Sequence, residues 1–352
     1  MFINAIGTAV PPHRYSKAQC WEAFKSSDWF NRLSPRAHAV TELVLLQDNG
    51  IEYRHLAVDA LDEVFAIDPD TLYQRFLLNA PRLAAQAGRR ALEQARLDAA
   101  EIDAVIVSTC TGYLCPGLSG YVIEQLRMRP DVQAYDLVGQ GCAAALPNLK
   151  MGEALIASGQ CEQVLSICVE VCSAAMYLDD DPGVLISACL FGDGAGAAVL
   201  SKRPDAHRRK IEWRHSQSLI EPSQRDALRF ETRNGLLRNI LTRQVPKTAA
   251  GHAHNLLQSV LRRTEIDQAD ISGWILHAGG RDVLLAVQKD FGTMPDDFRY
   301  SAAILRDYGN LSSAFVYFVL KKAIDEEAPG GWWWLSSFGA GFSCHGALLQ
   351  VE

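Results

Sequence analysis

Two stretches of the chain repeat one pattern of apolar and polar positions. Residues 100–109, AEIDAVIVST, and 269–278, ADISGWILHA, each follow a segment rich in Ala, Leu, Arg or Gln. Each then passes an acidic turn and enters a short apolar run, the pattern of helix, turn and buried strand. Aligning Ile102 with Ile271 sets Ser108 opposite His277. Nearly the same offset sets GQGCAAALPNLKMGEAL against YGNLSSAFVYFVLKKAI, with Cys142 opposite Asn310. Both read as a glycine-containing turn opening an apolar helix. Each half then closes on a glycine-rich stretch read as a hairpin, LFGDGAGAAVL at 190–200 and SFGAGFSCHGALL at 337–349.

Alternating strands and helices predict an α/β protein with mixed or mainly parallel sheets buried under helices. Duplication predicts two such layers, with helices between them. The first half is longer by about 21 residues, which fall around Cys161–Leu190 and suit a cap, lid or subunit contact. The polar run SKRPDAHRRK, 201–210, joins the halves and divides the chain into 1–203 and 204–352.

The 352 residues carry a net charge of -7, with 48% hydrophobic and 21% charged residues. This excludes disordered, collagen-like and coiled-coil classes and argues against nucleic acid as the main partner. No apolar run reaches the roughly 18 residues of a membrane span, and no signal-peptide layout opens the chain, so a cytoplasmic protein is expected. Nine cysteines are an odd number and too sparse for a disulfide scaffold. Eight read as reduced and packed; Cys161, Cys168 and Cys172 lack the nearby His that a zinc site would need, and no metal is expected. GDGAGA at 192–197 runs into an apolar strand rather than a helix, against a dinucleotide loop. Trp332–Trp334 reads as buried strand.

The repeat directs attention to its equivalent turns. Near an internal two-fold axis, Cys142, His277 and Asn310 converge from distant positions. Cys142 opens a helix, where unpaired N–H groups and the dipole favour a thiolate, and an adjacent imidazole lowers the thiol pKa further. His277 and Asn310 offer donors to a developing oxyanion.

Several segments, in order and spacing, resemble the type III polyketide synthases, the chalcone synthase-like branch of the thiolase-fold superfamily. They are INAIGTAVPPHRYS at 3–16, STCTGYLCPGLSGYVIEQL at 108–126, LVGQGCAAALPNL at 137–149 and LFGDGAGAAVL. WILHAGGRDVL at 274–284, RDYGNLSSAFVYFVL at 306–320 and SSFGAGFSCHGALL at 336–349 complete the set. The resemblance implies a five-layer αβαβα core of two pseudo-symmetric halves. It makes Cys142 the nucleophile, His277 its partner and Asn310 the companion in decarboxylation. It also implies iterative condensation of malonyl-CoA onto an acyl starter, without metal or organic cofactor, by a homodimer. The alternatives are a single-condensation ketoacyl synthase III-like enzyme and a catalytically silent partner subunit of the same fold.

By the same resemblance Phe191 is a gatekeeper, and Arg238 stands at a second gatekeeper position, free either to bind a carboxylate or the pantetheine arm or to be a solvated strand-edge charge. Cys172 and Ala175 line the pocket; their small side chains leave room for a fatty-acyl starter and a pyrone or resorcinol-type product. Cys115 reaches the partner's cavity across a dimer interface. Ser312 and Ser313 hydrogen-bond within the site, and Phe338-Gly339-Ala340-Gly341 forms a cavity wall. The family's CoA phosphate-binding residues should lie within 37–53, where this chain has no Lys or Arg. Either SKRPDAHRRK, Arg54 or the basic residues of 225–247 replace them, or an acyl-carrier protein delivers one acyl group.

Overall fold

The computed structural model describes residues 1–352. The first half contains strands β1 (Phe2–Ala9), β2 (Arg14–Ser16) and β3 (Tyr53–His55), with helices α1 (Lys17–Ser26), α2 (Asp28–Arg32) and α3 (Pro35–Leu46) between the last two. Then come α4 (Pro69–Ala95), β4 (Ala104–Ser108), α5 (Leu118–Leu126), β5 (Gln133–Leu137), α6 (Ala145–Ala157), β6 (Gln163–Glu170), α7 (Pro182–Leu190) and β7 (Gly194–Ser201). The second half runs β8 (Ile211–Ile220), β9 (Leu228–Arg233), β10 (Leu236–Leu241), α8 (Val245–Thr264), β11 (Ile271–Leu276) and α9 (Arg281–Phe291). It ends with α10 (Arg299–Tyr308), α11 (Phe315–Asp325), β12 (Gly331–Gly339) and β13 (Ser343–Val351).

Nine strands form one hydrogen-bonded set in the order β11-β12-β13-β8-β1-β7-β6-β4-β5. Its two parts meet only at the Phe2–Glu212 pair. On one side β4 is parallel to β6, and β6 is antiparallel to β7. On the other β11 is parallel to β12, and β12 is antiparallel to β13. The duplication is therefore visible strand by strand, and β5 is the extra member of the first set.

The helices explain the layers. On α4, Leu72, Phe76, Ala80, Leu83, Ala84, Ala87 and Ala91 are buried at the three- and four-residue spacing that places them on one face. Asp68 caps its start by accepting from the Thr71 N–H. That face packs on β1, β7 and β6. On the far side, α8 packs on β8 and β13. Between the sheets lie α6 and α11, each touching strands of both. A helix in that position has no solvent face, and Phe315–Leu320 of α11 are accordingly all buried. The largest apolar cluster combines residues of both halves, from Ile3 and Leu149 to Trp334 and Leu349.

Two local expectations change. Residues 190–200 form no hairpin: α7 ends at Leu190, and GAGAAVLS is one fully buried strand. Its Gly196 lies under the Tyr317 ring, where a Cβ would have no room, so close packing rather than a turn explains the glycines. The 337–349 stretch is a hairpin, β12 to β13. The extra length of the first half lies between β6 and β7, in a short 3-10 turn at Cys172–Ala175 followed by α7. Trp333 and Trp334 are wholly buried on β12, and Trp332 is half-buried.

Candidate active site

Cys142 sits in a single 3-10 turn, Gly141–Ala143, that leads directly into α6. Gly139 and Gly141 have φ of 83° and 54°, a region that a Cβ disfavours, which is why this turn reads GQG. The β12–β13 hairpin holds the turn from the other half of the molecule. Ser337 Oγ donates to the Ala143 carbonyl at 2.9 Å. A Cβ on Gly339 would lie 2.6 Å from the Ala143 nitrogen, so backbone meets backbone here.

His277 ends β11 and is buried, with its ring edge-on to Phe315 and Phe338 at centroid distances of 5.5 and 5.1 Å. Asn310 is fixed between two backbone groups. Its Oδ1 accepts from the Ser312 N–H at 2.9 Å, and its Nδ2 donates to the Gly279 carbonyl at 3.2 Å. The amide oxygen therefore faces His277 Nε2, 3.2 Å away, and that nitrogen carries the proton. The other ring nitrogen, Nδ1, is buried without a partner. Ser312 closes the circuit: its hydroxyl donates to Cys142 Sγ at 3.2 Å. Its φ of 50° is unusual for a residue with a side chain, and such backbone strain collects at functional sites.

Behind Ser312 lies Glu170, fully buried at the end of β6 with no cationic partner. The Cys110 N–H and Thr111 Oγ1 donate to its carboxylate at 3.1 and 2.9 Å, and Ser313 Oγ donates as well; Ser312 Oγ, whose one proton goes to Cys142, lies 3.3 Å away. Burial raises its pKa and these donors pull it back. Sequence reasoning passed over Glu170, because a single Glu closing an apolar strand carries no motif.

Burial also governs the two catalytic candidates. It pushes the Cys142 thiol up to about 12, against the pull of the Ser312 hydroxyl, with the Glu170 charge adding to the rise. It pushes His277 down to about 4. Desolvation thus opposes the thiolate that the helix terminus favours, and it opposes the imidazolium as well.

An apolar cavity of about 740 Å³, its mouth included, opens onto Cys142. Phe191, Cys172, Ala175, Ser312 and Ala340 line it together with Cys110 and Met176. Phe191 is tied to the catalytic loop, since the Asn310 N–H donates to Leu190 O at 2.9 Å and the Gly192 N–H to Asn310 O at 3.0 Å. Other assignments need correction. Arg238 does not line the cavity: its buried guanidinium is held by Asp179, Glu231 and Asp181 at 2.8, 3.2 and 3.1 Å, and the lining residue of β10 is its neighbour Asn239. Phe338 and Gly339 pack behind His277 and the Cys142 turn, leaving Ala340 as the wall. Cys115 is exposed and lies outside the cavity of its own chain, so it is not one of the packed cysteines. Ser313 serves Glu170 rather than the cavity. Arg54 is buried and donates to the Ala188 and Phe191 carbonyls at 2.7 and 3.1 Å, which removes it as a phosphate ligand and makes it a brace for the Phe191 turn.

A duplicated, five-layered core with a half-buried Cys at a helix start, joined through Ser312 to a His–Asn pair, defines a thiolase-like condensing enzyme. Residues 62–227 match the profile described as FAE1/Type III polyketide synthase-like protein, and residues 214–351 match that of chalcone and stilbene synthases, C-terminal domain. A 3,5-dihydroxyphenylacetyl-CoA synthase of Amycolatopsis orientalis is 32% identical, over 76% of this chain and 75% of its own. A 1,3,6,8-tetrahydroxynaphthalene synthase of Streptomyces peucetius subsp. caesius is 29% identical, over 99% and 92%. The fold matches the crystal structure of 1,3,6,8-tetrahydroxynaphthalene synthase from Streptomyces coelicolor A3(2), with a TM-score of 0.90 and 24% identity over 100% of this chain and 99% of the other. It also matches PKS-I of the brown alga Ectocarpus siliculosus, with a TM-score of 0.92 and 22% identity over 99% and 98%. The chain belongs to the type III polyketide synthase family. It is accordingly an acyltransferase that forms carbon–carbon bonds from malonyl-CoA, with CoA thioesters as substrates and no cofactor. No helix is long and apolar enough to cross a membrane.

Proposed function

We propose that the enzyme loads an acyl starter on Cys142, extends it iteratively with malonyl units and cyclises the product to a pyrone or resorcinol. Cys142 attacks the starter thioester; the bond to CoA sulfur breaks as the bond to Sγ forms, and the thiol proton ends on the departing thiolate. Malonyl-CoA then loses CO2. The electron pair left behind forms a thioester enolate, whose oxygen replaces Asn310 Oδ1 as acceptor of the His277 Nε2–H and also accepts from the Asn310 Nδ2–H not used by Gly279. The enolate carbon attacks the acyl carbonyl and expels Cys142 Sγ, ready to be reloaded. Apolar walls raise the worth of these donors by excluding water.

The observation that carries the starter assignment is a second apolar cavity that shares Leu56, Met176 and Ala188 with the first as a common wall. With small Cys172 and Ala175 near the nucleophile, the pair of chambers suits an extended fatty-acyl tail. A second reading has malonyl-CoA itself as starter; the relatives named as synthases of 1,3,6,8-tetrahydroxynaphthalene and 3,5-dihydroxyphenylacetyl-CoA favour a phenolic product. Mass spectrometry of products from malonyl-CoA alone and with a panel of acyl-CoA starters decides between them. Products retaining the aliphatic tail support the first, malonyl-only phenols the second, and one extension per product excludes iteration. A homodimer accords with the exposed apolar Leu78, Tyr113 and Val138 and the exposed Cys115. Sedimentation equilibrium tests it.

A further inference from the structure

A CoA thioester brings several phosphate charges to the protein, and the only Lys or Arg that α3 offers them is Arg36, in its first turn. From residue 37 to its end at Leu46 the helix has no cationic side chain but His38, and it exposes Leu43 and Leu46 instead. The cationic run 201–210 is elsewhere in the molecule. It connects β7 to β8, and its His207, Arg208 and Arg209 line a separate cleft with Ile3, Ile6 and the C-terminal end of α11. Arg54 is occupied by two carbonyls. The basic residues of 225–247 are placed differently.

Residues 225–247 hold Arg225, Arg229, Arg233, Arg238, Arg243 and Lys247 against only Asp226 and Glu231, in a chain whose net charge is -7. They span the β9–β10 hairpin, which supplies Leu228, Arg229, Phe230 and Asn239 to the wall of the catalytic cavity. Arg229 is spent on Asp226 and Glu231, and Arg238 on three carboxylates. Arg225, Arg243 and Lys247 are exposed and make no ion pair. Arg225 precedes β9 and Arg243 follows β10, at the base of the hairpin, and Lys247 stands in the first turn of α8 just beyond it. There the Thr242 N–H donates to the Ala227 carbonyl at 3.1 Å, and Leu241 pairs with the cavity residue Leu228. Three exposed, unneutralised cations thus flank the strand ends that border the cavity. In so acidic a chain, a local excess of positive charge at a cavity wall attracts and orients an anionic substrate.

We propose that Arg225, Arg243 and Lys247 form the seat for the CoA nucleotide phosphates, replacing the α3 site of the family. This rests on the proposed use of Cys142 as acyl acceptor only in that the pantetheine arm must lead from this seat to that sulfur. The test is the triple variant Arg225→Ala/Arg243→Ala/Lys247→Ala, assayed with malonyl-CoA and with malonyl-S-N-acetylcysteamine, which lacks the phosphates. The expected result is a KM for malonyl-CoA raised about tenfold or more, with kcat within about twofold and the KM for the truncated thioester unchanged. The salt dependence of kcat/KM for malonyl-CoA should also become shallower. An unchanged KM for malonyl-CoA overturns the proposal, as does an equal rise for both thioesters, which would mean a structural role. A defect confined to malonyl groups presented on an acyl-carrier protein overturns it in favour of an acidic protein partner. The control Arg208→Ala/Lys210→Ala should behave as the parent. Failure of the catalytic reading would show separately, as absence of condensation by the parent enzyme itself.

Discussion

Gly339 joins the two halves at the nucleophile, and Gly339→Ala measures how much that junction matters. The added Cβ would lie 2.6 Å from the Ala143 nitrogen, 2.9 Å from the Gln140 carbonyl oxygen and 3.0 Å from the Ala143 Cβ. Ordinary contact begins near 3.4 Å, so hairpin and turn must separate by about 0.8 Å, and two of the three opposing atoms are backbone that cannot rotate aside. Overpacking of this kind costs about 1–3 kcal/mol of stability. The separation acts on the turn that carries Cys142, while His277 and Asn310 stay with β11 and the loop before α11. Misplacement on the order of 1 Å costs about 10²-fold in rate. We therefore expect kcat for malonyl-CoA consumption to fall about 10- to 100-fold with a lower Tm, and thiol alkylation to show that Cys142 is still present and reachable. Gly120→Ala, on an α5 position with nothing within 4 Å of the new Cβ, should leave kcat unchanged. Parental kcat in Gly339→Ala would refute the view that the second-half hairpin positions the nucleophile.

Other consequences are open to direct measurement. Glu170→Gln keeps shape but sets an amide NH2 against hydroxyl and N–H donors, so stability should fall by about 2–3 kcal/mol in denaturant unfolding. Because the Glu170 charge helps to raise the Cys142 pKa, the same variant should be alkylated by iodoacetamide at lower pH than the parent. Asn310→Ala removes an oxyanion donor and should lower malonyl-CoA decarboxylation about 10²–10³-fold while starter transfer to Cys142 survives. Burial holds His277 and His345 near 4 instead of 6.5, so between those values the unfolded chain binds more protons than the folded one. Stability should therefore fall as pH drops from about 6.5 towards 4, and His345→Gln should flatten the Tm profile across that window. Ala175→Leu should shorten the accepted starters, read as a shift of product masses to shorter tails.

How much of this was legible in the sequence depended on what kind of signal each residue leaves. The duplication singles out Cys142 and Asn310 at equivalent turns and His277 at the preceding strand end, the resemblance supplies their roles, and the glycines around Cys142 mark a backbone that only glycine adopts easily. Arg238 was misassigned by one position. On a strand a single step reverses the face, and the side chain that meets the cavity is Asn239, whereas Arg238 turns to Asp179, Asp181 and Glu231. Glu170 left no trace because its role exists only after Cys110, Thr111, Ser312 and Ser313, from both halves, have closed around it. The opposing pull on the thiolate was hidden for a related reason: a helix start is visible in sequence, but burial, which here raises the Cys142 pKa, is not. Residues 190–200 misled because glycines that permit close approach of Tyr317 look the same as glycines that make a turn.

Three thiols, Cys110, Cys142 and Cys172, face the same cavity, so the central claim is that only one of them carries the growing chain. The direct measurement is intact-protein and peptide mass spectrometry after brief exposure to an acyl-CoA starter without malonyl-CoA. A single acyl group on the peptide containing Cys142, lost in Cys142→Ala and retained in Cys110→Ala and Cys172→Ala, is the predicted result. An acyl group on Cys110 or Cys172, or its persistence in Cys142→Ala, would contradict the account.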